Sequence, residues 1–223
     1  MTQLALDFGH RTAHDAEDFL VTPSNSDAVR WLDRWPDWPA PALVIHGPAG
    51  CGKTHLAHVW QARSAARFIA PDAIGGAAPD GLLGEARNAV IDGGDGVADE
   101  RHLLHLYNMV AERGGALLLT AHNPPARWNI ALADLRSRLV AAPAVAVSAP
   151  DDGLIGAVLV KIFSDRQLRV GDDVIEFLTK RMERSFDAVR RTADALDKAA
   201  LAAGRNITVP LARQVLQQLD WEP

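Results

Sequence analysis

Gly47-Pro48-Ala49-Gly50-Cys51-Gly52-Lys53-Thr54 is a complete match to the pattern G-x-x-x-x-G-K-[ST]. Its glycines let consecutive backbone N–H groups turn inward around an anion. The helix that follows points its positive N-terminus at the same spot. In such a loop Lys53 reaches the β- and γ-phosphates and the Thr54 hydroxyl ligates magnesium, with His55 next in line on the helix. The flanks agree. Ala42-Leu43-Val44-Ile45 precedes the loop as an apolar run, and Leu56, Ala57, Val59 and Trp60 follow at helical spacing. The order of strand, glycine loop and helix predicts a site for a nucleoside di- or triphosphate with Mg2+.

Composition bounds what surrounds that loop. A chain of 223 residues with 48% hydrophobic content can bury a sizeable core. Its apolar runs fall far short of the ~20 residues that cross a bilayer, and no signal-peptide pattern opens it. The single cysteine, Cys51, excludes an intramolecular disulfide and fits a cytoplasmic setting; inside the loop it reads as a small filler. The histidine pairs His55/His58 and His102/His105 read as solvated helix surface rather than metal ligands. Net charge is −5, and from Asp151 onward acids and bases nearly cancel. A protein that tracks phosphate backbones needs a concentrated positive face, so DNA contact is expected only indirectly.

Three regions follow from the chain's patterning. Residues 1–18 are polar with mixed charge and read as a flexible arm. Residues 19–149 alternate strand patterns (42–46, 67–70, 88–92, 115–120, 144–148) with helical ones (53–64, 82–87, 99–113). The Gly-Pro-rich stretch 71–81 and the loop 123–127 interrupt them. That alternation predicts an α/β core with a five-stranded parallel sheet covered on both faces. Residues 150–223 show helical patterns only (151–167, 172–183, 187–203, 209–219), with Thr208 as N-cap of the last, so they form a small C-terminal α-helical lid domain.

Further candidates lie at strand ends. Asp92 closes Ala89-Val90-Ile91, where a carboxylate at the C-terminal edge can share a magnesium ion with Thr54. Thr120 ends Gly115-Ala116-Leu117-Leu118-Leu119, ahead of Ala121-His122-Asn123-Pro124-Pro125. In Leu132-Ala133-Asp134-Leu135-Arg136-Ser137-Arg138-Leu139 the two arginines suit a solvated amphipathic helix. The alternative, less favoured by the residues alone, is a guanidinium presented to a neighbour's γ-phosphate.

The P-loop Gly47–Thr54, the strand ending at Asp92, the Leu-Leu-Thr-x-x-x-Pro-Pro stretch and Asp-Leu-Arg-Ser-Arg-Leu together resemble the DnaA-type AAA+ ATPase family. The likeness extends over residues 19–219 and includes the lid ending Asn206-Ile207-Thr208-Val209-Pro210. No helix-turn-helix domain follows. The arm Gln3-Leu4-Ala5-Leu6-Asp7-Phe8 resembles sliding-clamp-binding peptides, with Gln3, Leu4, Leu6 and Phe8 as contacts and Leu6 and Phe8 as apolar anchors. That combination resembles the Hda-like members of the family.

The resemblance implies a negative regulator of replication initiation. It would dock on the DNA-loaded sliding clamp (the DNA polymerase III β subunit) and stimulate ATP hydrolysis by DnaA through Arg138, an arginine finger acting in trans. It also places Asn25 at the adenine and ribose. Three departures stand out. AAA+ ATPases carry an acid after the strand-end aspartate, where this chain has Gly93, so intrinsic hydrolysis is expected to be slow. Asp187 occupies the lid position of the sensor-II arginine, leaving Arg184 or Arg190 to contact phosphate. His122 replaces an acidic residue. An autonomous P-loop ATPase or helicase loader remains the alternative. The oligomeric state stays open, a homodimer included.

Overall fold

The structure, a computed structural model, describes residues 20–76, 78–204 and 206–219. The arm and its candidate clamp contacts Gln3, Leu4, Leu6 and Phe8 therefore lie outside the described residues. Five strands form one parallel sheet: β1 (Ala42–His46), β2 (Arg67–Ile69), β3 (Ala89–Asp92), β4 (Leu117–Ala121) and β5 (Ala144–Ala146), in the order β2-β3-β4-β1-β5. Crossovers are made by α2 (Lys53–Ser64), α3 (Pro79–Leu83), α4 (Glu100–Glu112) and α5 (Ala133–Ala141), while α1 (Ser26–Asp33) precedes the sheet.

The continuous apolar strand sequences are explained by burial on both faces. Ala42, Val44, Ala89, Ile91, Leu117 and Leu119 point into a core with Leu103, Leu106 and Val110 of α4 and with Leu135 and Leu139 of α5. Leu43, Ile45, Val90 and Leu118 point the other way, onto α1, α2 and Trp60. Trp60 is sealed by Trp38, stacked at 5.3 Å between ring centroids, and by Trp35, edge-on at 5.9 Å. This tryptophan cluster ties α1 and its following loop to the sheet.

Four helices follow: α6 (Asp152–Asp165), α7 (Asp172–Thr179), α8 (Phe186–Ala203) and α9 (Val209–Gln218). They enclose a separate core that includes Leu159, Phe163, Leu178, Val189, Leu196, Ala212 and Val215. Side chains cap two of them, Asp151 on Leu154 N–H of α6 and Ser185 on Ala188 N–H of α8. Thr208 occupies the N-cap of α9 without a side-chain bond to the helix. Val170 and Ile207 form one isolated parallel bridge in this otherwise helical part.

Two readings need correction. The helix expected over 82–87 lies at Pro79–Leu83: Pro79 sets its first turn, and Gly84, at φ +56°, ends it. The region before β1, given no element in the sequence reading, holds α1. Among the described residues no helix is long and apolar enough to cross a membrane.

Candidate functional site

A parallel sheet collects its loops at the C-terminal strand edge, where ligands of open α/β sheets bind. Here that edge brings together His46, Asp92 and Thr120, because β1, β3 and β4 are neighbours and Asp92 pairs in register with Thr120. The loop 47–52 leaves β1 at the same place. Its first glycine is fixed by packing: a Cβ on Gly47 would sit 2.1 Å from the Val147 carbonyl oxygen. Gly50 and Gly52 have φ of +67° and +101°, which only glycine adopts readily. Gly52 then begins α2 with no side-chain cap, and α2 has no acidic residue in its first turn. The first-turn amides and the positive helix end are thus left for an anion.

Lys53 is buried, and its ammonium donates to the carbonyls of Gly47 at 2.9 Å and Pro48 at 2.7 Å. Cys51 lies beside it, with Sγ 3.8 Å from Nζ. Burial pushes the Cys51 thiol up despite the pull of Lys53, so the thiolate is disfavoured. His46 behaves oppositely. Burial foremost, then the positive charges of Arg127 and Lys53, lower its pKa and keep the imidazole neutral. Arg127, in the short turn Pro125–Arg127 after β4, was passed over in the sequence. The Pro-Pro-Ala-Arg run that delivers it was the available signal.

Opposite the loop, the Thr54 hydroxyl donates to Asp92 Oδ2 at 2.8 Å. Thr120 donates to Asp92 Oδ1 at 2.5 Å and accepts the Gly93 N–H at 2.9 Å. One carboxylate is therefore held by two hydroxyls across three elements. Thr54 and Asp92 are the residues that would hold a magnesium ion here, and the ion would neutralise phosphate charge. Among the described residues no cluster of three or more His, Cys, Asp or Glu side chains offers an all-protein metal cage.

The position after Asp92 has a physical reason to be glycine. Gly93 adopts φ +92°, and a Cβ at Gly94 would lie 2.8 Å from Leu119 Cδ2. Any side chain at 93 would be strained, including the acid of hydrolytic relatives. Asp95 does not turn toward Asp92. Its carboxylate accepts the His122 N–H at 2.8 Å, supplying an acid beside the position where the sequence lacks one. A Cβ at Gly93 meets nothing closer than Pro71 Cγ at 3.6 Å. Gly93→Ala is therefore expected to destabilise by about 1–2 kcal/mol through backbone conformation alone. Thermal unfolding should show a drop of a few degrees, and an unchanged midpoint would contradict the left-handed turn.

The helical domain covers the loop. Phe186 N–H donates to the Gly50 carbonyl at 2.8 Å. A Cβ at Gly50 would meet Ser185 Cβ at 2.5 Å, and one at Gly52 would meet the Phe186 ring at 3.0 Å. The start of α8 thus rests on the phosphate loop. Of the two candidate lid arginines, Arg184 is paired with Asp152, Nε to Oδ1 at 3.0 Å. Arg190 pairs with Asp187 on α8 and also lies near α2: together with burial and His58 it lowers the pKa of His55.

Other candidates fall further out. Asn25 is buried, and its amide is engaged locally, accepting the Thr22 N–H and donating to the Leu20 carbonyl, both at 2.9 Å. These bonds tie it into the 20–25 loop. Arg138, in the last turn of α5, lies with its guanidinium 6.0 Å from the Tyr107 ring centroid. Arg136 is exposed. His102 is partly exposed, and its Nδ1 lies 2.8 Å from the Asp99 carboxylate.

Comparison with known proteins fits this arrangement. The family described as the Hda lid domain matches residues 156–216. Domain III of the Thermotoga maritima replication initiation protein DnaA superposes with a TM-score of 0.75 at 18% identity, covering 92% of this chain and 95% of that one. AMPPCP-bound DnaA from Aquifex aeolicus gives 0.67 at 15% identity over 91% of this chain and 68% of its own. A RuvB variant from Thermotoga maritima gives 0.71 at 14% identity over 89% and 69%. At such identities the structural likeness speaks for the fold, and the family match for residues 156–216. The chain thus has the fold of DnaA domain III, and its residues 156–216 match the Hda lid domain.

Proposed function

We propose that this protein binds ADP or ATP with Mg2+ and regulates DnaA negatively, docking on the DNA-loaded sliding clamp through residues 3–8 and presenting Arg138 to DnaA-bound ATP. The match of residues 156–216 to the Hda lid carries the reading. The phosphate loop, with Lys53, Thr54, Asp92 and Thr120 gathered at one sheet edge, supports nucleotide binding. Arg190 is the lid arginine for a phosphate contact. Gly93 makes the protein's own turnover slow, so its role is that of an activator of another ATPase.

The clamp contact is separable from the rest. Leu6 and Phe8 are the apolar anchors of the arm, each worth about 2 kcal/mol if they fill pockets as hot spots do. Replacing both by Ala is expected to weaken clamp binding by well over about tenfold while ADP binding persists. Surface plasmon resonance on immobilised clamp reads the first quantity and calorimetry the second. Unchanged clamp affinity would sink the tethering part of the reading.

A further inference from the structure

Glu100, in the first turn of α4, reaches over to the start of α5. Its Oε1 accepts the Ala131 N–H at 2.9 Å, and its Oε2 accepts the Leu132 N–H at 2.6 Å. α5 needs this help. It is 9 residues long, and its N-cap position, Leu132, makes no side-chain cap. A helix so short does not hold itself in water, and a carboxylate at its N-terminus adds charge-assisted hydrogen bonds there. At the other end of α5, the Arg138 guanidinium lies against Tyr107, which is two turns along α4 from Glu100. Both ends of the finger-bearing helix are thus registered on one helix, α4.

We propose that Glu100 is a positioning residue: by fixing the start of α5 it sets where Arg138 meets the partner's γ-phosphate. This rests on the reading of Arg138 as the finger. A displacement of about 1 Å at a reacting group can cost on the order of a hundredfold in rate, so a loosened α5 should slow catalysis without weakening docking.

The test is Glu100→Gln, which keeps the length but turns one acceptor into an NH2 facing a backbone N–H. Retention of ADP checks the fold. Two quantities are measured: hydrogen exchange at Ala131 and Leu132, and hydrolysis by ATP-loaded DnaA on clamp-loaded DNA against the concentration of this protein. The expected result is faster exchange at both amides and a maximal rate lowered about tenfold or more, with the half-saturating concentration within about twofold. A maximal rate equal to wild type, or a change confined to half-saturation, overturns the positioning role. Arg138→Ala run alongside separates the two ideas. If it abolishes stimulation while Glu100→Gln does not, only this inference fails; if it stimulates fully, the finger reading fails and takes this inference with it.

Discussion

Lys53→Ala protein is expected to bind neither ADP nor ATP measurably. The ammonium is buried inside the loop, bonded to the carbonyls of Gly47 and Pro48, and no other lysine stands there. Its removal takes away the loop's one charge aimed at phosphate and leaves two carbonyls without their donor. Hydrogen bonds to charged groups are worth about 1.5–3 kcal/mol each, so a loss of about a hundredfold or more in affinity follows. Asp92→Asn acts differently. It removes the charge that Thr54 and Thr120 hold in place and should weaken mainly the magnesium-dependent part of binding. Calorimetry with and without Mg2+ distinguishes the two variants. If both retain ADP equally well, the nucleotide sits somewhere other than this strand edge.

Arg138 carries the second large effect. A finger acts on charge that develops in the partner's transition state, so its loss leaves binding intact and removes rate. Arginine fingers contribute about 10³–10⁵ in characterised phosphoryl-transfer systems. Arg138→Ala should therefore keep its ADP and its clamp affinity while losing nearly all stimulation of DnaA. Arg138→Lys should fail as well, since a point charge does not reproduce a planar two-donor fork. It would also give up the flat contact over Tyr107. Arg136→Ala is the control: the residue is exposed, so its effect should be mild.

Much of this was legible in the chain because its signals are local. Strand, glycine loop and helix are adjacent in sequence, so the bounds expected for α2 match the structure, Lys53–Ser64. The three central strands read well because each is a short apolar run buried on both faces, and the edge strands β2 and β5 each bury one residue, Ile69 and Val145. What escaped the sequence depends on contacts between distant segments. The tryptophans at 35, 38 and 60 meet only after folding, so α1 had no visible partner. The bond from Phe186 to Gly50 joins lid to loop across more than half the chain. The hydrogen bonds of the Asn25 amide to Thr22 and Leu20 also depend on the turn of the chain between them. The pairing of Arg184 with Asp152 was equally closed to inspection, since the two lie far apart in sequence.

The most direct measurement is the half-life of ATP on DnaA, followed in single turnover with clamp-loaded DNA and saturating amounts of this protein. Wild type should shorten that half-life, Arg136→Ala should shorten it nearly as much, and Arg138→Ala should leave it at the value for DnaA alone. A half-life shortened fully by Arg138→Ala, or not shortened by wild type, would contradict the account.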